Sequence, residues 1–336
     1  MLEKNLENSS GPTNEPGSIF SQTEHRIIAT YLIVAGILSL LSNVAVLGIF
    51  IKHKELRTRT NAIIVNLALT DIGVSSIGYP MSAASDLHAS WKFGSAGCQV
   101  YAGLNIFFGM ASIGLLTLVA VDRYLTICCP HIERRMTRKS YASLILGTWL
   151  NGCFWALMPI LGWASYAPDP TGVTCTINWQ ENGISFVSYT MAVIAINFIM
   201  PLTLMVYCYC HVAWAIKCHT TCESTGHLND WSSQVAVTKM SVIMILMFLA
   251  AWSPYAIVCL WASFGDPKAI PPMMALIAPL FAKSSTFYNP CIYVVANKKF
   301  RKAMFTMFQC QTHRAMPATN ILPMDVTQRP LASERN

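Results

Sequence analysis

Lys283 stands in the stretch APLFAKSSTFYNPCIY as the only charged side chain between Met273 and Ala296. At about 1.5 Å per residue it lies roughly 15 Å from one end of that run and roughly 20 Å from the other, near the middle of a hydrocarbon layer. A charged lysine there costs on the order of 2.5–3.5 kcal/mol, so a partner or a chemistry must offset it. Apolar surroundings favour the neutral amine, which is nucleophilic. The alternative is a buried lysine paired with Asp71 or satisfied by water.

Other residue groups carry weaker signals. Asp122-Arg123-Tyr124 follows an uncharged run from Asn105 to Val121. An arginine there can hold its charge at the interface through the adjacent aspartate and release it when helices part. In Asn289-Pro290-Cys291-Ile292-Tyr293 the proline opens the backbone ladder, and Asn289 and Tyr293 can re-satisfy it or bind water; a plain structural kink is the alternative. Trp252-Ser253-Pro254-Tyr255 joins a kink to two large aromatics. Asn43, Asp71 and Asn289 each sit in apolar context and could form one buried polar cluster, for packing and hydration or for function.

The elements that position these residues follow from composition. With 54% hydrophobic and 12% charged residues, the chain has about half the charged fraction of a soluble domain. Seven apolar segments read as membrane spans: 27–51, 62–85, 97–128, 141–161, 188–216, 236–263 and 273–295. With the N-terminus outside, eighteen of the 23 Lys and Arg fall on the inner side. That bias follows the positive-inside rule, so the net charge of +7 reflects orientation in lipid and no nucleic-acid partner is expected.

Residues 1–26 are polar and show no charged leader followed by a cleavage site, so the first span is expected to act as the anchor. Asn8-Ser9-Ser10 is a glycosylation sequon on that outer segment. The spans occupy 27–296. In 297–310 the residues Phe300, Met304, Phe305 and Phe308 form an apolar face beside basic residues, the pattern of a short helix on the inner membrane surface, and Cys310 at its end is a palmitoylation candidate. The polar stretch 311–336 reads as a disordered cytoplasmic tail. Most of the twelve cysteines fall within spans or inside, whereas Cys98 and Cys175 lie on the oxidising side and are either bridged or two unpaired thiols.

Together these positions resemble the rhodopsin-like G-protein-coupled receptor superfamily over about residues 20–310. The resemblance implies an all-α membrane protein, a seven-helix bundle with a short amphipathic helix after the seventh span. It also implies a Cys98–Cys175 bridge and inner loops that meet a heterotrimeric G protein. Fold-level likeness leaves the ligand open.

Within that superfamily FAKSSTFYNPCIY is similar to the opsins, whose lysine stands six positions before the asparagine of the proline motif, as Lys283 does before Asn289. The similarity implies a covalent Schiff base between Lys283 and retinal, all-trans or 11-cis. Trp252 and Tyr255 would flank the chromophore, Phe198 would meet its ring end and Gly109 would leave room there. Vertebrate visual pigments place a glutamate three residues after the third-span cysteine; here that position is Tyr101. The other family option is an acid six residues before the loop cysteine, here Asp169 in YAPDPTGVTC, and Asp169 is the counterion candidate. Its alternative role is forming a turn between Pro168 and Pro170. A counterion about 4 Å away, at an effective dielectric near 20, contributes about 4 kcal/mol, or roughly three pH units.

WKFGSAGCQVYAGLNIFFGMASIG and ASFGDPKAIPP resemble opsins outside the main visual group, near the retinal photoisomerases and associated with the plasma membrane of retinal pigment epithelium. Two functions are implied: a light- or retinoid-sensing receptor, or an enzyme-like photoisomerase making 11-cis from all-trans-retinal. Many opsins carry a glutamate at the inner foot of the sixth span to pair with the span-three arginine. This chain has Gln234, so an inner lock must differ.

Overall fold

Ser21 starts the first helix with a reciprocal cap. Its Oγ accepts from the Glu24 N–H at 3.3 Å, and Glu24 Oε2 accepts from the Ser21 N–H at 2.7 Å. The computed structural model describes residues 20–181, 183–221, 228–296 and 300–306. Its long helices are α1 (Gln22–Lys52), α2 (Arg59–Leu87) and α3 (Gly94–Cys128). After a short α4 (Pro130–Arg135) come α5 (Arg138–Leu157), α6 (Ile184–Ile194), α7 (Met200–Thr221), α8 (Leu228–Phe264) and α9 (Pro272–Ala296).

A π-helical turn, Ala195–Ile199, joins α6 to α7 as one rod. Pro201 follows after Met200; it has no N–H to donate and its ring crowds the carbonyl of Asn197, so a widened turn accommodates it. Counting α6–α7 once gives seven long rods among the described residues, matching the seven expected spans. Five of them are long and apolar enough to cross a membrane by length and composition: 22–52, 59–87, 94–128, 184–218 and 234–264. The other two, α5 and α9, include polar residues such as Arg138, Lys139 and Ser140 in α5 and Lys283, Ser284 and Ser285 in α9.

Helix ends depart from the hydropathy boundaries where local bonding decides. The first helix begins at Gln22, five residues before the apolar run, because the Ser21 cap starts it. The fourth rod ends at Leu157 and not at 161: the N–H groups of Ile160 and Leu161 turn back to the Leu157 carbonyl, and Pro159 offers none. Residues 300–306 are helical, with Phe300 buried against Phe50 and Tyr293 at 6.0 and 5.8 Å between ring centroids. The rest of the expected surface helix, including Phe308 and Cys310, lies outside the described residues, as do Asn8 and 311–336.

The central helix is α3, which packs on α2, α5, α7 and α8, while α1 lies against α2 and α9. Apolar residues on the outward faces, such as Ile37 and Leu41 of α1 at 54% and 63% exposure, are where lipid belongs. Among the described residues the interior has two large apolar layers and a smaller cluster of Leu32, Ala35, Tyr79 and Ala83 between α1 and α2. The inner one surrounds Leu67, Leu115, Met244 and Tyr293. The outer one surrounds Tyr101, Trp155, Tyr166 and Tyr189.

Candidate functional site

Between the two layers lies an internal cavity of about 170 Å³. Its outer cover is a hairpin absent from the sequence reading: β1 (Tyr166–Pro168) pairs antiparallel with β2 (Cys175–Ile177), with Tyr166 opposite Ile177. Gly172 makes the turn at φ +71°, a conformation glycine adopts at little cost. The Trp91 N–H holds the Gly172 carbonyl at 2.7 Å, and the Cys98–Cys175 disulfide ties β2 to α3. Residues 174–177 therefore face the cavity.

Lys283 lies on the cavity wall, 8% exposed, with Nζ 5.3 Å from the centre of the Tyr101 ring. An aromatic face attracts a cation at that range. The Lys283 carbonyl accepts from the Tyr79 hydroxyl at 2.8 Å and from Thr286 Oγ1 at 3.0 Å, which fixes the backbone beneath the amine. Tyr101 is held by Ser82 Oγ at 2.6 Å and Thr174 Oγ1 at 2.9 Å. None of the ion pairs among the described residues involves Lys283, and Asp71 bonds Asn289 at 3.1 Å.

The structure brings the other pocket candidates to the same cavity. Trp252 stacks on Phe248 at 5.6 Å and meets Tyr255 edge-on at 6.3 Å. The Tyr255 hydroxyl bonds Thr176 at 2.5 Å, linking α8 to the hairpin. Phe198, on the π turn, lines the wall. A Cβ on Gly109 would stand 2.7 Å from Trp252 Cη2, so the indole occupies the space that a side chain at 109 would need.

Asp169 stands at the hairpin turn, 6% exposed. Its N–H donates to the Thr174 carbonyl and its carbonyl accepts from Gly172 N–H, both at 3.0 Å. Its carboxylate accepts from Thr171 Oγ1 at 2.7 and 2.8 Å. These are the bonds of a turn former. Burial pushes the carboxyl up to about 6, while hydrogen bonds from Thr171, Thr174 and Gly172 pull the other way.

The family model of seven-transmembrane receptors of the rhodopsin family matches residues 42–293. The visual pigment-like receptor peropsin of Homo sapiens is 77% identical over 336 residues, all of both chains. That of Mus musculus is 72% identical, covering 98% of this chain and 97% of its own. Melanopsin of Homo sapiens is 31% identical over 85% of this chain and 62% of its own length. The crystal structure of squid rhodopsin superposes with a TM-score of 0.82 at 26% identity, over 93% of each chain. The chain belongs to the peropsins, opsins of the rhodopsin receptor family.

At the inner end of this opsin, Asp122 is a hub. It accepts from Tyr141 at 2.5 Å and from Thr60 at 3.0 and 3.1 Å, and it pairs with Arg123. Arg123 Nη1 donates to Gln234 Oε1 at 3.1 Å, so a contact between α3 and α8 persists without the glutamate. Tyr124 packs on Tyr207 and His211 at 5.8 and 5.9 Å. The cluster expected of Asn43, Asp71 and Asn289 forms with serines as bridges: Ser39 bonds Ser75 at 2.7 Å and Thr286 at 2.8 Å, Ser75 bonds the Asp71 carbonyl, and Asn43 donates to the Thr286 carbonyl. Pro290 lies within α9, and Tyr293 is buried beside this network.

Sequence reasoning missed two residues of the opsin that meet in the outer half of the bundle. Asp86 of α2 is 3% exposed and contacts His25 Nδ1 of α1 at 3.1 Å. The signal was in SAASDLHAS, where Asp86 falls one residue past the expected end of the second span at 85 and, in the structure, within α2. An intramembrane acid reads as functional by default.

Proposed function

We propose that Lys283 holds retinal, all-trans or 11-cis, through a covalent Schiff base, and that this opsin is a light- or retinoid-sensing receptor of the plasma membrane in retinal pigment epithelium. One observation carries the reading: Lys283 is the one basic side chain on the cavity wall among the described residues, and aromatic and apolar groups surround it. A retinal polyene suits these walls. Gly109 lets the Trp252 indole pack close against α3, where a Cβ would stand 2.7 Å from it, and the buried Trp252 Nε1 has no hydrogen-bond partner among the described residues.

Retinal, when bound, supplies a conjugated chromophore whose shape changes with light. The side chains do the rest. The hairpin, pinned by Cys98–Cys175, keeps water from the amine. Tyr101 presents its ring face to a positive nitrogen. Asp169 is the proposed counterion, acting through the Thr174–Tyr101 hydrogen bond rather than by direct contact. Pressure on Trp252 would pass along α8 to Gln234 and loosen its bond to Arg123, opening the inner face to a heterotrimeric G protein.

The test reconstitutes the protein separately with all-trans and 11-cis retinal and records spectra before and after light. A visible band that Lys283→Met abolishes supports the reading. No band with either isomer, or one that survives Lys283→Met, refutes it. Asp169→Asn is expected to shift the band far to the blue, and an unchanged spectrum discards Asp169 as counterion. Light-dependent nucleotide exchange on a G protein supports signalling; multiple turnovers of released 11-cis-retinal assign the photoisomerase function instead.

A further inference from the structure

The outer half of α2 carries a buried carboxyl group, Asp86, that neither the inner switch nor the hairpin uses. Ser82 and Asp86 lie one helical turn apart on one face of α2. Ser82 bonds the Tyr101 hydroxyl at 2.6 Å, and the Tyr101 ring faces Lys283 Nζ at 5.3 Å. One turn outward, Asp86 is 3% exposed and its Oδ1 lies within hydrogen-bond distance of His25 Nδ1, at 3.1 Å. The titratable groups facing this site are His25 from α1, Lys283 from α9 and, through Ser82, Tyr101 from α3.

The other two buried acids near the cavity have their carboxylates engaged elsewhere, Asp71 with Asn289 and Asp169 with Thr171. A buried carboxylate with only a histidine beside it and a buried amine with no carboxylate within 4 Å among the described residues are each costly alone. Both groups are buried, and opposite charges in a buried region of lowered dielectric attract one another over more than contact distance. We propose that Asp86 is a standing anion for the Lys283 nitrogen, held in place by His25 as a positioning residue.

This deepens the retinal reading, since the same charge would favour a protonated nitrogen on bound retinal, yet it is testable in retinal-free protein. The probe is acetic anhydride applied to the protein in lipid nanodiscs across a pH series, with acetylation of Lys283 read by peptide mass spectrometry. Only the neutral amine reacts, so the midpoint of the labelling curve reports proton affinity. Asp86→Asn is expected to move that midpoint down by about one pH unit, whereas Asp86→Glu stays near wild type. A midpoint in Asp86→Asn that coincides with wild type overturns the proposal. If Asp86→Asn fails to fold, His25→Leu carries the test: with its hydrogen-bond partner gone the carboxylate takes up a proton, so the midpoint is again expected to fall, and an unmoved midpoint overturns the proposal. Failure to form a visible pigment with retinal, beside a shifted labelling curve, would instead count against the retinal reading alone.

Discussion

Gln234→Glu should tighten the inner face of this opsin. Arg123 Nη1 reaches Gln234 Oε1 at 3.1 Å and so joins α3 to α8. The existing bond is charge-assisted from one side, and a carboxylate would make it so from both. Two features limit the gain: Asp122 already neutralises Arg123, and Gln234 is partly exposed, so solvent screens the new charge. About 1 kcal/mol remains, roughly a five-fold shift toward the closed arrangement. Gln234→Ala removes the acceptor and should shift the balance the other way by a similar factor. Spin labels at the exposed positions Ile132 and Lys239, on a background lacking the exposed Cys210, Cys218 and Cys291, report the separation of the inner ends. The expected order of closed population is glutamate, glutamine, alanine. If the alanine variant is as closed as the glutamate variant, the Arg123–Gln234 bond does not hold α3 to α8.

The hairpin and pocket give three further predictions. Because burial raises Asp169 to about 6 from 3.8, its neutral form stabilises the fold fully below pH 3.8, and that contribution is lost as pH rises through 6. In retinal-free protein Asp169→Asn should therefore melt higher than wild type at pH 7.5, by the equivalent of at most about 3 kcal/mol, with the gap closing by pH 4; an equal gap at both pH values refutes this. Gly109→Ala would place a methyl 2.7 Å from the Trp252 ring, so a cost of about 1–3 kcal/mol in melting experiments and slower retinal uptake are expected, and wild-type values for both would mean the indole swings aside freely. Cys175→Ser should release β2 from α3 and lower stability by about 2–5 kcal/mol, checked by thermal denaturation with and without reductant; wild-type and variant should converge when reductant is present.

The spans were legible because lipid imposes long apolar runs, and Lys283 was conspicuous because it interrupts one. The ends were less so: Ser21 starts α1 through a hydrogen bond that hydropathy does not register, and Pro159 curtails α5 within an apolar run. The hairpin was not legible at all. Its strands are three residues each, one ends at Pro168, and their pairing is enforced by a disulfide and by Trp91 from another loop rather than by any alternation of their own.

What stayed hidden in the site has a common cause. Lys283, Tyr101, Asp86 and His25 belong to four helices, and each pairing depends on how those helices are rotated and ordered about the bundle axis. A helix apolar around most of its circumference, as α1 is, does not announce which side faces inward. A polar residue in such a helix can be recognised as buried, but its partner cannot be named. The sequence could therefore mark Lys283 as a charge needing an anion and Asp169 as a candidate by family spacing. Asp86 came into view only when packing set Ser82 against Tyr101 and His25 against Asp86. Asp169 sits on a loop tied to the helices by the disulfide, the Trp91 bond and the hydroxyls of Thr174 and Thr176, whereas Asp86 sits on a helix packed against α1, α3 and α9. An anion on a rigid rod keeps its distance from the amine when the hairpin moves, so Asp86 suits a constant field at Lys283 and Asp169 suits one that changes with the cover.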